Sequence, residues 1–356
     1  MAGKMKPLKM SRDGLILGAI LGAAALLRFS GLARQSLWVD EVLSMRAANR
    51  ILTLDAASVL YDRHGPLYFY LLAPALAVEP SELGARIPSA ILGVALVGIV
   101  YLLGRDLADR STGLAAAAVT AFSPFALWYS QEVRYVSLYL FLAAASAWSG
   151  YRFLRQPSVR DGTLHVLSTV LMLLAFPAGV FVSLAESLWA LGSRPGMRKL
   201  RGWILVQGVI VLAFLPWFVR AYEIGPFASH HTPSLRETST GFDRPLRPIQ
   251  IGYPLFTFGA GLTVGPSNRE LHEDLSLGPI LKQGGWVFSA ILITGLLAGI
   301  GSVHLLRSNA GGGCLMLLLV ATSLLGPYVM AQFTQFAYNV RYTAGAVPAY
   351  LLLLGI

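Results

Sequence analysis

Charge is what this chain has least of. Of its 356 residues only 13% are Asp, Glu, Lys or Arg, about half the share found in an ordinary soluble domain. Hydrophobic residues make up 55%, and the mean hydropathy is +0.61. The charge is missing from runs of about twenty residues, long enough to cross a bilayer as helices. Those runs exclude a soluble globular chain. They are also too long and continuous for barrel strands, the only other structure that lipid permits. Cysteine is nearly absent too. The single Cys314 excludes an intramolecular disulfide and a thiolate metal site. The sequence has no Gly-rich phosphate loop, no His/Cys ligand spacing, and no internal repeat of about 20–50 residues. Acidic residues are the scarcer sign, 18 against 28 basic ones, for a net charge of +10. The basic residues fall at the ends of apolar runs, as topology signals do, so the positive balance speaks for membrane orientation and against a nucleic-acid partner.

These features predict an all-α polytopic membrane protein, one transmembrane domain over residues 1–356. Lys4, Lys6, Lys9 and Arg12 precede a first helix over 13–32 and keep the amino terminus in the cytoplasm. "GLA" at 31–33 resembles a signal-peptide cleavage site, but the run leads straight into an acidic pair, and an uncleaved helix is expected. Further spans are expected over 86–105, 113–129, 135–153, 164–177, 178–192, 202–219, 285–306, 312–330 and from Thr343 onward, about ten in all. "PLYFYLLAPALAV" (66–78) is too short to span and reads as a re-entrant or interfacial helix. With this count the loops bearing Arg105 and Arg110, Arg152, Arg155 and Arg160, and "SRPGMRKLR" all face the cytoplasm. Residues 33–85 and 220–283 then form long outer loops, the first carrying juxtamembrane helices.

The polar residues that look chemical gather on that outer side. "SLWVDEVLS" places Asp40 and Glu41 just after the first run. They read either as a solvated loop with Asp40 capping a helix, or as a general base at the membrane surface. In "YDRHGPLYFY", His64 and Tyr68 are either interfacial decoration or one wall of a polar cavity reaching a sugar or phosphate. "SPFALWYSQEVRYVSLYL" sets Glu132, Arg134 and Tyr135 between two apolar runs. Arg134 either pairs locally and snorkels or binds an anionic headgroup, which suits its planar fork. "YNVRYTAGAVP" repeats the theme with Arg341 and Tyr342. Two outward Arg-Tyr pairs beside an acidic pair are not explained as topology anchors, because anchors favour the inside. Among the histidines, His230 and His231 read as surface residues, His272 lacks a second ligand at a recognisable spacing, and His165 and His304 read as interface residues near the inner ends of spans.

"LRFSGLARQSLWVDE", "RHGPLYFYLL", "ARIPSAILG" with "YLLGRDL", "SPFALWYSQEVRY" and "VRYTAGAVPAYLLLL", in that order, resemble the GT-C membrane glycosyltransferases. The resemblance is to the protein O-mannosyltransferase and aminoarabinose-transferase-like group. It implies a GT-C-type bundle that moves a sugar from a polyprenyl-phosphate donor to an acceptor hydroxyl of a lipid, glycan or protein. The reaction would run on the outer face of the cytoplasmic membrane, with inversion. By the same resemblance Asp40 is the catalytic carboxylate, Glu41 its partner, and Arg134 and Arg341 suit the donor phosphate. Some relatives use a divalent cation, and no spacing here decides that point.

Two departures stand out. The resembled motif commonly reads His-Pro-Pro-Leu-Tyr, whereas this chain has Gly65 after His64. The chain also ends inside an apolar run, as a short member or an incomplete sequence would. A transporter or flippase of lipid-linked sugars would need similar arginines, but transporters place polar residues near the midplane, in broken helices. A scaffold subunit would tolerate replacement of Asp40. The topology makes its own prediction. Cysteine introduced in the 194–201 loop should react with an impermeant maleimide only after permeabilisation, and cysteine in 230–245 should react in intact cells; the reverse pattern would move the acidic pair to the other face.

Overall fold

The computed structural model describes residues 12–60, 65–224, 249–262, 285–333 and 338–356. Among these residues the chain is helical throughout, with no strand. The amino-terminal part runs α1 (Arg12–Phe29), α2 (Val39–Leu52), α3 (Leu67–Val78), α4 (Glu82–Leu107), α5 (Arg110–Phe122), α6 (Pro124–Ser130) and α7 (Val136–Arg155). Then follow α8 (Val159–Ala175), α9 (Val180–Gly192), α10 (Met197–Ile224), α11 (Ile249–Ala260), α12 (Gly285–Ser308), α13 (Ala310–Phe333) and α14 (Val347–Leu354). A 3-10 turn, Pro177–Gly179, joins α8 to α9, and a 3-10 helix, Val340–Ala346, leads into α14. The central helix is α4, which packs against α1, α3, α5, α6 and α7. Its buried face carries small residues, Gly84, Ala85, Ser89, Ala90, Gly93 and Gly104, which let neighbouring backbones approach closely without large side chains between them.

Helices stand at all ten expected span positions, and α2 and α3 form within residues 33–85 as expected. Among the described residues, by length and apolarity alone, four helices can cross a membrane, α4, α10, α12 and α13, or five if α5 and α6 are one span bent by 59°. α1 falls outside that set with Arg12, Asp13 and Arg28 within its 18 residues, and α8 and α9 are shorter because the Phe176–Gly179 break divides them. The 220–283 segment is not wholly a polar loop. α11 forms within it, and Phe258 packs edge-on against Phe125 with ring centroids 5.0 Å apart.

The α5–α6 bend has a local cause. Pro124 has no amide hydrogen and starts α6, where none is needed, while the Ser123 hydroxyl caps the new helix by accepting from the Ala126 amide at 3.2 Å. Breaking the span leaves the last carbonyls of α5 without helical partners, which lipid does not tolerate. The wholly buried Arg28 of α1 donates to the Ala121 and Thr120 carbonyls at 2.9 and 3.1 Å. The Gln131 amide does the same for α1, donating to the carbonyls of Leu27, Arg28 and Ser30 at 3.1, 3.3 and 3.0 Å.

His165 departs from expectation. It lies wholly buried on α8 rather than at an interface. Its Nδ1 meets the Ser146 carbonyl at 3.2 Å, its Nε2 faces the Gln207 amide at 3.2 Å, and Trp203 stacks on the ring at 5.0 Å. Beside it the buried Glu186 accepts from the Ser146 hydroxyl at 2.8 Å. The cluster ties α7, α8, α9 and α10 together.

Gly65 explains one departure from the resembled motif. Its φ is +85°, and a Cβ there would collide with the Leu174 carbonyl. The backbone before α3 therefore follows a path that proline, fixed near −65°, cannot take. Gly65→Ala should lower stability by about 2–3 kcal/mol and Gly65→Pro by more, read as the thermal unfolding midpoint in detergent.

Candidate active site

The amino ends of α2 and α4, the turn between α6 and α7, and the 3-10 helix before α14 meet at one place. α2 starts there for a reason visible in the sequence. Glu41 reaches back to accept the Trp38 amide at 3.3 Å, so Trp38 is the capping residue and Asp40 is not. Consecutive helical residues point about 100° apart. Asp40 and Glu41 therefore face different neighbours.

Glu41 turns inward and is 1% exposed. Arg86 of α4 grips it with two bonds, Nε to Oε1 at 3.2 Å and Nη2 to Oε2 at 3.0 Å. The Val133 amide adds a third at 2.9 Å. The remaining nitrogen of Arg86, Nη1, donates to the carbonyls of Leu32 and Gln35 at 2.6 and 2.8 Å. A buried ion pair is tolerable only when its leftover donors and acceptors are met like this.

Asp40 faces outward, its side chain 29% exposed, and its Oδ2 receives two guanidiniums. Arg341 Nη1 lies 2.9 Å away and Arg134 Nη2 3.4 Å away. Arg134 also donates to the Asp40 carbonyl at 3.3 Å. Arg134 sits over the Tyr135 ring at 5.3 Å and Arg341 over the Trp38 indole at 5.6 Å, contacts that hold a cation without neutralising it. The Asn339 side chain accepts the Arg341 amide at 3.0 Å and starts the 3-10 helix that carries it. Four of the residues singled out in the sequence, Asp40, Arg134, Tyr135 and Arg341, thus meet across about 300 residues of chain.

The other candidates are placed differently. Tyr68 is buried on α3, its hydroxyl 2.9 Å from Ser89 behind the Arg134 turn. Tyr342 stacks on Phe176 at 5.5 Å, and Phe176 stacks in turn on Tyr135 at 4.6 Å. His64 lies outside the described residues. Two participants were not legible in the sequence. Arg86 looked like part of an apolar span, because its partner is 45 residues away. Phe176 looked like part of a helix breaker; a buried aromatic next to Pro177 carries no local sign of stacking between two tyrosines.

A divalent cation does not fit these residues. The charges on Asp40 are guanidiniums, Glu41 is saturated by Arg86, and among the described residues no three His, Cys, Asp or Glu side chains share a site.

Glu132 stands in the turn outside both helices. Its Oε1 accepts from the Trp128 indole at 2.6 Å, and its buried Oε2 has no hydrogen-bond partner among the described residues. Burial raises its carboxyl from 4.5 to about 7. The neutral form is therefore favoured in the folded state: its stabilising contribution is complete below 4.5 and is lost as pH rises to about 7. Thermal midpoints measured across that window should fall with rising pH in the native protein, and Glu132→Gln should flatten the fall.

Residues 63–219 match the sequence profile of the family described as dolichyl-phosphate-mannose-protein mannosyltransferase. No curated protein matches the chain. Among solved structures, the S. cerevisiae protein O-mannosyltransferase Pmt1-Pmt2 complex bound to the sugar donor superposes with a TM-score of 0.51 at 18% identity, over 67% of this chain and 38% of that one. The Archaeoglobus fulgidus oligosaccharyltransferase AglB, in complex with an inhibitory peptide and a dolichol-phosphate, gives 0.60 at 14% identity, over 98% of this chain and 50% of that one. Its apo form gives 0.60 at 15%, over 98% and 51%. The chain thus spans about half, or less, of the length of the structures it matches. The expected architecture is borne out: this is a GT-C-type helical membrane fold, and the segment that resembles the protein O-mannosyltransferases in sequence carries Arg86 and Arg134 but not Asp40, Glu41 or Arg341.

Proposed function

We propose that this protein is a membrane glycosyltransferase. It moves a sugar from a polyprenyl-phosphate donor to an acceptor hydroxyl of a lipid, glycan or protein, on the outer face of the cytoplasmic membrane. The observation that carries the reading is the convergence of Arg134 and Arg341 on the one carboxylate of Asp40. Two guanidiniums against one carboxylate leave one positive charge over, at a place rimmed by Trp38 and Tyr135. That is an environment for an anion whose attached chain is apolar, and the guanidinium fork matches phosphate.

The chemistry follows from what each group can do. The acceptor oxygen forms a bond to the anomeric carbon while the bond from that carbon to the phosphate oxygen breaks, its electron pair leaving with the phosphate. Arg134 and Arg341 stabilise the charge gathering on the leaving group, so no general acid is needed there. The acceptor's proton passes to the Asp40 carboxylate. A single displacement inverts the sugar carbon. Glu41 takes no proton in this scheme; held by Arg86 and the Val133 amide, it is a positioning residue that sets the angle from which Asp40 reaches the acceptor.

Asp40→Asn keeps the shape of the side chain but cannot take the proton. Transfer should fall by about 10²–10⁴, measured with purified protein in nanodiscs and a panel of polyprenyl-phosphate hexoses and pentoses. A transporter of lipid-linked sugars would lose translocation only in part under this change, and a scaffold would lose nothing. Transfer by Asp40→Asn at the native rate would refute the catalytic assignment.

A further inference from the structure

The contact that identifies the site also presents a difficulty for it. A carboxylate held by two cations gains little from taking up a proton, yet the reaction requires Asp40 to take one. We propose that the donor itself unmasks the base: its phosphate takes Arg341 from Asp40, so that Asp40 is freed to accept a proton only in the donor complex. The inference rests on the glycosyltransferase reading and adds an order of events to it.

The two arginines are not equivalent. The Arg134 side chain is 6% exposed and bonds both the carboxylate and the main-chain carbonyl of Asp40. It lies over Tyr135, which is itself pinned by the stack on Phe176. Arg341 is 24% exposed, and its guanidinium contacts the Asp40 carboxylate and the face of Trp38. Its backbone is fixed by Asn339, so the side chain can turn without moving the helix behind it. Arg134 stays and Arg341 swings. Carboxylate and phosphate offer the guanidinium fork the same paired oxygens, so the Asp40 carboxylate stands where one face of a phosphate would be. Donor and aspartate compete for one cation.

The competition works in both directions of the cycle. When the donor enters, Arg341 turns to the phosphate and the acceptor hydroxyl meets a carboxylate held by one guanidinium instead of two. After transfer, Asp40 gives its proton to water, becomes an anion again and reclaims Arg341, which loosens the polyprenyl phosphate left behind. Donor therefore binds before acceptor, and the step that resets the base also favours release of the lipid.

Binding of a sugar-free polyprenyl phosphate to the full-length protein in nanodiscs tests this apart from activity. Asp40→Asn should bind on the order of tenfold tighter than the native protein, because the internal competitor is gone. Asp40→Glu, which keeps the competing anion, should stay near native affinity. Arg341→Ala should weaken binding, and in that background Asp40→Asn should gain little. The last comparison separates competition for Arg341 from simple removal of a repelling charge, whose gain would survive without the arginine. Unchanged or weaker binding by Asp40→Asn, or a gain that persists in Arg341→Ala, overturns the inference and leaves the glycosyltransferase reading standing. Absence of polyprenyl phosphate binding by the native protein overturns both.

Discussion

The buried pair between Glu41 and Arg86 holds four segments of the chain in register. Two charges removed from water cost several kcal/mol each unless every donor and acceptor is met. Here the carboxylate takes two bonds from the guanidinium and one each from the Val133 and Trp38 amides. The guanidinium spends its other bonds on the carbonyls of Leu32 and Gln35. One ion pair thus fixes the α1–α2 connection, the start of α2, the start of α4 and the α6–α7 turn. Removing either partner would leave the other as an uncompensated charge in an apolar bundle. The arrangement is all or nothing, and that makes a rigid base for the chemistry beside it.

Adjacent carboxylates can then divide the work. Because successive helical positions point in different directions, Glu41 is spent on structure and Asp40 on the surface. Besides Arg86 and Arg341, the residues around them come from one short turn. Gln131 closes the end of α1, Glu132 takes the Trp128 indole, Val133 gives its amide to Glu41, and Arg134 pairs with Asp40 over the Tyr135 ring. Each of these five residues is committed to a different task. A shift of the turn would disturb both carboxylates together, and so structural and chemical demands are coupled at this point of the chain.

Much of this was readable in the sequence because long apolar runs and charged residues at their ends are local signals. The positions of α1, α4, α7, α10, α12 and α13 follow from them, as do the short α3 and the break at Phe176–Gly179. So does the suspicion attached to Asp40, Arg134 and Arg341, since charge between apolar runs needs a reason. What stayed hidden depends on partners far away in the chain. Arg86 and Glu41 are 45 residues apart, and Arg28 is 93 from the carbonyl of Ala121. Nothing near Arg28 announces that it caps another helix. Tyr68 looked outward because aromatic residues often mark the interface, but a helix of 12 residues packed on α2 and α4 has its own buried side. His165 looked interfacial because it lies near the inner end of a span, and the polar groups that bury it come from three other helices.

The broken span explains how such a polar turn is accommodated beside apolar helices. A straight helix through residues 110–130 would have carried its side chains outward in even steps and left no room for Gln131, Glu132, Arg134 and Tyr135 to gather beside the acidic pair. The 59° bend at Ser123–Pro124 turns α6 aside, and the turn after it points back into the bundle. The freed carbonyls would make that bend too costly in lipid, but Arg28 covers those of α5, and Gln131 in turn covers the carbonyls at the end of α1. Gln131 belongs to the turn itself. The residue that closes the first helix is therefore next to residues that build the site: the bend, Gln131 and Arg134 lie within about a dozen residues of sequence, while Arg28, which covers the α5 carbonyls, reaches them from α1.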